Sequence, residues 1–421
     1  MPYYIGGVTA EATDLVVRTP AEFLEKNRVM VKTRHRVELI EHENRRVRVR
    51  DLAGDTEFWA PYTRLLISTG ADAFVPPIEG AGLDGVFTLR KLKDSIEIMR
   101  FLEREKPRRA AIVGAGPIGM EMCEAFRRLG IDTTVIELAP QVMPSIDGRL
   151  ASLVQAAIEK EGVTCSLVSR VEAVAADSHG RLAAVSTTTG EVEADIVLLA
   201  IGIRPSVGLA AEAGVELGAR GAIRVDEAMR TSIDGIFAAG DCATTTNRVS
   251  GGETWIPLGS NARKQGRVAG ETMFGGDSSF PGVVGTSIVK VFDKTVGRTG
   301  LSVGEATDSG FDPVEVEMEA WTHHDYYHAG GAINLQVIAE RGSGVMLGAQ
   351  LVGDWDATAD RRLDVFAMAL TARITAADLQ YVDLAYAPPY STATDIPIIA
   401  GNLATGKLGG PGCSCDSNGL E

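Results

Sequence analysis

The 421-residue sequence predicts an α/β fold: a parallel α/β unit, smaller sheets beside it, and a C-terminal α+β region. Three observations predict it. The stretch "RRAAIVGAGPIGMEMCEAFRRLGIDTTVIE" (108–137) reads strand, glycine turn, helix, strand, the order of a parallel α/β unit. Short strand-like runs divided by polar turns fill residues 29–68 and return between Asp226 and Asp241. From Gly285 onward come further strands, one long helix pattern and a Pro-rich segment.

Composition narrows the function classes. Hydrophobic content of 45% and charge of 23% suit a globular protein, and the length suggests two or three domains. The longest apolar run, "IVLLAIGI" from Ile196, is strand-sized, well short of the roughly 18 residues that a membrane span needs. A net charge of −15 disfavours nucleic acid and anionic membrane surfaces as partners. Five scattered cysteines with no signal-peptide pattern read as reduced thiols, so a cytoplasmic protein is expected.

Taken in chain order, "MPYYIGGVTAE" opens with Tyr3, Tyr4 and Ile5, which are expected to be buried. Strands are expected at "VMVKT" (29–33), "RVELIE" (36–41), "RRVRVRD" (45–51), "TEFWA" (56–60) and "RLLIST" (64–69). The period-two alternation of "RVRVRD" implies a sheet with one wet face. Later strands are expected at "TSIVKVFD", "INLQVIAE" and "VMLGAQLVG", with a helix at "DRRLDVFAMALTAR". The last eleven residues, "PGCSCDSNGLE", lack periodicity and are expected to form a mobile tail.

The strongest motif lies at Gly114-Ala115-Gly116-Pro117-Ile118-Gly119. Gly114 permits a tight turn, Gly116 lets the backbone approach a pyrophosphate, and Gly119 lets helix and strand pack closely. The helix that starts at Pro117 and Ile118 offers N–H groups and positive partial charge to phosphates. Its apolar stripe is expected at Met120, Cys123, Phe126 and Leu129, with Gly130 as a left-handed cap. Glu137, at the end of the next strand, is placed to accept ribose hydroxyls and to repel a 2′-phosphate. This is a Rossmann-like unit, and NADH is the expected ligand. NADPH stands as the alternative, because nearby Arg149 is able to hold a phosphate.

A second strand-end acid stands in "TSIDGIFAAGDC" (231–242), where Gly240 precedes Asp241. By itself an aspartate there serves equally as a turn or helix cap. In order, "STGA" (68–71), the central GxGxxG, "LLAIGIRP" (198–205) with Gly202, and "TSIDGIFAAGD" resemble the flavin-dependent pyridine nucleotide–disulfide oxidoreductases. The resemblance implies that Asp241 holds the ribityl chain of FAD, that Thr69-Gly70-Ala71 lie beside the flavin, and that Gly202 belongs to the NAD site. It covers residues 2 to 402. "HHDYYHAGG", "DRRLDVFAMAL" and "LAYAPPYSTATD" look like the interface domain of the coenzyme A-disulfide reductase and persulfide reductase branch.

That branch is a homodimer in which two tyrosines of one subunit help protonate a leaving thiolate in the other. The matching residues are Tyr326 and Tyr386. Without the resemblance, ordinary interface packing explains both equally. His328 stands where the family usually has proline, and Thr394 where it commonly has a lysine near coenzyme A.

The implied fold is α/β with two Rossmann-like domains and a C-terminal dimerisation domain. Residues 1–105 and 226–283 would bind FAD, 106–225 NAD(H), 284–408 would dimerise, and 409–421 would form the tail. In the family a first GxGxxG turn and a single reactive cysteine stand before the stretch that "MPYYIGG" resembles, which implies an incomplete FAD domain.

The cysteines in the chain offer no obvious substitute. Cys123 is expected in the core, Cys165 packed in a strand, and Cys242 beside a carboxylate. Cys413 and Cys415 form a CxC in the tail. The histidines, including His323, His324 and His328, are expected in solvated loops and form no recognisable metal set. The expected activity is hydride transfer from NADH through FAD to a cysteine that reduces a small-molecule disulfide or persulfide. Two alternatives are an NADH oxidase or peroxidase of the same fold, and an inactive NAD-binding chain.

Overall fold

A computed structural model describes residues 1–324 and 326–409. The chain divides into two compact units. One joins Met1–Val8, Phe74–Gly202 and the described residues from Val284 onward; the other joins Thr9–Ala73 and Ile203–Val283.

The first unit contains a five-stranded parallel sheet in the order Val86–Phe87, Ile196–Leu199, Arg109–Val113, Asp132–Ile136, Thr164–Ser166. The two strands at its centre, "IVLL" and "RAAIV", are buried almost throughout. A parallel strand covered on both faces has no wet side, hence the absence of alternation in the sequence. The helix Pro117–Arg128 buries Met120, Met122, Cys123, Ala125 and Phe126. Leu129, expected on that stripe, is exposed, because the helix ends at Arg128 and Gly130 turns the chain at φ +75°.

The same unit carries a five-stranded antiparallel sheet in the order Ser287–Val291, Lys294–Gly300, Met346–Asp354, Ala332–Glu340, Pro313–Trp321. Helices Ala359–Thr371 and Ile396–Lys407 accompany it. Its Val289, Val291, Val296 and Val352 join the core that holds Ile112, Phe126 and Val135. Lys290 Nζ reaches Glu124 at 2.7 Å across this junction.

The second unit holds an antiparallel meander of His35–Glu41, Arg46–Asp51 and Thr56–Pro61, and a parallel pair, Leu65–Ile67 with Ile236–Ala238. Val47 and Val49 are buried while Arg46, Arg48 and Arg50 face acids on their neighbours. That is the alternation of "RVRVRD".

Several expectations fail locally. "VMVKT" is no strand: Arg28 turns left-handed at φ 56°, the Val29 N–H bonds back to the Phe23 carbonyl at 3.1 Å, and Val29, Met30 and Val31 emerge exposed. The preceding helix, Pro20–Asn27, had a legible start in the Thr19–Glu22 capping box. At the N-terminus only Ile5 of the expected trio is fully buried, while Tyr3 is exposed.

Candidate nucleotide-binding and redox sites

The glycine turn is built as its spacing implies. Gly114 sits at φ +102°, and a Cβ there would lie 2.5 Å from the carbonyl oxygen of Ala200. A Cβ on Gly119 would lie 2.1 Å from the Gly114 oxygen, so helix and strand touch through bare backbone. At Gly116 a Cβ would meet nothing within 4 Å. That opening, in front of a helix end no side chain caps, fits a pyrophosphate. Pro117 starts the helix without wasting a donor, and Ile118 and Gly119 complete the first turn.

Glu137 is locked to this turn. Its Oε2 accepts the Ala115 N–H at 2.7 Å, and its Oε1 accepts the Ala139 N–H at 2.9 Å. Each carboxylate oxygen keeps a further lone pair for a ribose hydroxyl. Gly202, at φ +106°, lies two residues past Ala200, whose N–H bonds Val113 at 2.7 Å. The turn at 200–202 therefore packs against Gly114. Arg149 is engaged elsewhere: its guanidinium meets Glu317 at 3.1 Å and Asn334 Oδ1 at 3.1 Å. A 2′-phosphate would compete with Glu317 for it.

Glu121 stands on the same helix, two residues after Gly119, and belongs to no motif in the sequence. Its Oε1 accepts the Tyr3 hydroxyl at 3.3 Å, and burial pushes both groups' pKa values up. An acid in the first turns of a Rossmann-like helix was a visible signal.

In the second unit, Leu65–Ile67 and Ile236–Ala238 run parallel, so both C-terminal ends emerge on one side. Ser68 Oγ donates to the Ala239 carbonyl at 2.8 Å, which binds the two ends together. Thr69 Oγ1 donates to the Ser206 carbonyl at 2.5 Å, and Gly70, at φ +71°, accepts the Ser206 N–H at 2.9 Å. Ala71 is buried and begins a strand paired with Ile203–Pro205.

On the other strand end, Gly240 at φ +86° donates its N–H to Gln265 Oε1 at 2.8 Å, and Trp255 Nε1 donates to the Asp241 carbonyl at 2.8 Å. Thr69-Gly70-Ala71 and Asp241 thus come together, with Asp241 Oδ1 buried. A carboxylate in that position fits the hydroxyls of a ribityl chain. Trp255 also lines a cavity of about 710 Å³ with Arg204, Pro205 and Arg220. Gln265 and Trp255 were missed because side chains that brace a loop leave no periodic signature.

Tyr326 and Tyr386 are 64% and 49% exposed. The Tyr326 ring stacks on His324 with centroids 5.5 Å apart. His323, expected in solvent, is instead 8% exposed and bonded through both ring nitrogens. Next to Thr394, Asp395 caps the helix Ile396–Lys407 and binds Arg361 at 2.7 Å and the buried Arg362 at 3.0 Å.

The described thiols are not activated. Cys123 is fully buried and its pKa is pushed up by desolvation. Cys165, in the strand Thr164–Ser166, is half-buried and packed against the core as expected, and burial raises its pKa to about 12. Cys242 is buried, its sulfur directed at the carbonyls of Ile67 and Ala239. Cys413, Cys415 and nearly all of the expected tail lie outside the described residues.

With this geometry in hand, comparison with known proteins is decisive. Residues 5–266 match the family described as pyridine nucleotide-disulphide oxidoreductase, and residues 286–396 match its dimerisation domain. The chain belongs to this family. It is 33% identical to the NADH oxidase of Methanocaldococcus jannaschii over 97% of this chain and 90% of that protein. It is 35% identical to the CoA-dependent NAD(P)H sulfur oxidoreductase of Pyrococcus furiosus over 95% of this chain and 88% of that one.

Among solved structures, the NAD-dependent persulfide reductase from A. fulgidus superposes with a TM-score of 0.92 at 37% identity. The match covers 96% of this chain and 75% of that one. The α/β architecture with a C-terminal dimerisation domain, anticipated from the sequence, is thereby shown. Among the described residues no helix is long and apolar enough to cross a membrane.

Proposed function

We propose that this oxidoreductase uses NADH and FAD to reduce a small-molecule disulfide or persulfide, as a cytoplasmic homodimer. The observation that carries the sulfur substrate is the pair of exposed phenols, Tyr326 and Tyr386, on a dimerisation domain. A phenol left in solvent at the surface is free to serve a second copy of the chain, and a phenolic O–H can donate its hydrogen bond or proton to a leaving thiolate. The sulfur and persulfide reductases among its relatives support the same substrate class.

The residues divide the work. The Gly114–Gly119 turn and the helix end behind it bind the pyrophosphate, and Glu137 takes the ribose hydroxyls. Thr69, Gly70, Ala71 and Asp241 would hold the flavin and its sugar-alcohol chain, braced by Gln265 and Trp255. FAD would supply the two-electron chemistry between nicotinamide and sulfur. Tyr326 and Tyr386 deliver the proton to the departing thiolate.

Two other readings have specific support. The Methanocaldococcus relative is an NADH oxidase, and electrons passed directly to oxygen need no thiol relay. None of Cys123, Cys165 and Cys242 suits a nucleophile, which favours a chain that binds nucleotide without reducing disulfides. One experiment separates the three. NADH consumption is followed in the FAD-loaded protein with coenzyme A disulfide, with polysulfide, and with oxygen alone. Turnover that requires the sulfur compound, and that falls in Tyr326→Phe/Tyr386→Phe, supports the proposal. Oxygen-only turnover selects the oxidase, and NADH binding without turnover selects the third reading.

A further inference from the structure

We propose that His323 is a positioning residue that ties the Tyr326 segment to the Tyr386 segment. The proposal rests on the reading that both tyrosines act at the substrate sulfur. Neither segment has a regular scaffold: residues 322–324, 326–331 and 381–394 lie outside helices and strands. Yet His323 Nε2 stands 3.0 Å from the carbonyl oxygen of Pro389. A carbonyl only accepts, so Nε2 carries the proton and donates across a sequence gap of 66 residues.

His323 is three residues from Tyr326, and Pro389 three from Tyr386. The Tyr390 N–H donates to the Ala387 carbonyl at 2.8 Å and the Ser391 N–H at 3.2 Å, which closes a turn beginning just after Tyr386. Holding Pro389 therefore holds that turn.

The imidazole is itself fixed on three sides. Its Nδ1 lies 2.9 Å from Thr322 Oγ1, and with the proton on Nε2 a neutral ring accepts the Thr322 hydroxyl there. The same Thr322 oxygen accepts the Gly331 N–H at 3.2 Å, closing the loop on itself. The Tyr327 ring stacks on His323 with centroids 5.5 Å apart and planes 17° apart. Gly330 covers the ring: at φ +89°, a Cβ there would stand 2.0 Å from Nδ1. A half-solvated loop histidine needs none of this. A donor to a backbone carbonyl of another loop needs all of it, since the ring must not rotate.

The test uses the full-length, FAD-loaded protein in four forms: wild type, His323→Leu, His323→Gln and Gly330→Ala. Glutamine retains an N–H donor at nearly the same reach; leucine retains the bulk without it. Hydrogen exchange in residues 384–391 is expected to quicken about tenfold in His323→Leu and Gly330→Ala and to stay near wild type in His323→Gln. Disulfide turnover is expected to follow: kcat falls at least about tenfold in the first two with KM for NADH unchanged, and glutamine restores it. Exchange unchanged in both His323→Leu and Gly330→Ala, or as fast in His323→Gln as in His323→Leu, overturns the tie whatever the turnover. Quickened exchange with unchanged turnover keeps the tie and overturns the role of the tyrosines instead.

Discussion

Glu137 Oε2 accepts the backbone N–H of Ala115 at 2.7 Å, so the acid that ends the second strand also pins the glycine turn that begins the site. On the proposed function one carboxylate would serve two ends of the nucleotide: it would shape the cradle for the pyrophosphate and present oxygens to the ribose. Glu137→Gln keeps the size but turns one acceptor into a donor facing an N–H group. Losing charge-assisted hydrogen bonds worth about 1.5–3 kcal/mol should weaken NADH roughly ten- to hundredfold. Calorimetric titration with NADH and NADPH checks this, and an undiminished preference for NADH would show that Glu137 does not read the ribose.

Gly116 and Gly119 should separate by substitution. Alanine at Gly119 drives its Cβ to 2.1 Å from the Gly114 oxygen. We expect a loss of about 1–3 kcal/mol in denaturant unfolding, along with nucleotide binding. Alanine at Gly116 meets nothing within 4 Å and keeps φ at −75°, so stability should stay within about 0.5 kcal/mol. Its NADH affinity should nevertheless drop, since the methyl occupies the opening. Equal stability losses at both positions would refute the assignment of that opening.

Asp395 and Arg362 form a buried ion pair in which removal is asymmetric. Arg362 is 1% exposed, its pKa is pushed down by burial, and its Nη2 has no hydrogen-bond partner among the described residues. Asp395→Ala leaves that guanidinium without its counter-charge, and a loss of about 3–5 kcal/mol is expected. The double variant with Arg362→Met should lose clearly less than the sum of the single losses. Arg361, half exposed on the same carboxylate, should cost under about 1 kcal/mol as alanine. Additive losses in an unfolding cycle would remove the argument for coupling.

Cys165 makes a prediction in the alkaline range. Burial raises its thiol from the ordinary 9.0 to about 12. An acid whose folded pKa lies above its unfolded one stabilises fully below the unfolded value and loses that contribution as pH rises through the folded one. Stability should therefore erode from about pH 9 towards pH 12, and Cys165→Ser should flatten that slope. At pH 8 a thiol reagent should leave Cys123, Cys165 and Cys242 unlabelled in the native protein. Rapid labelling of Cys165 would contradict its raised pKa.

Much of this was written in the chain in local terms. GxGxxG, the strand before it, Gly130 and Glu137 lie within one supersecondary unit, so spacing alone carries the geometry. "RVRVRD" likewise declares its wet face through period two. The motif order from "STGA" to "TSIDGIFAAGD" was enough to name the family that comparison then showed. "VMVKT" misled because β-branched residues state a preference, and a strand also needs a neighbour to bond with.

The chain by itself thus determined the class of fold, the glycine turn and the acid beside it, because each depends on residues a few positions apart. Only the tertiary structure decided that Thr69 and Asp241 share one strand-end edge, that Arg149 is held by Glu317, and that His323 is buried against Pro389. Those contacts join residues 66 to 172 positions apart, or pack a side chain against whatever backbone happens to arrive there. A carbonyl oxygen accepts the same hydrogen bond in every residue type, so such a partner leaves no trace in the sequence.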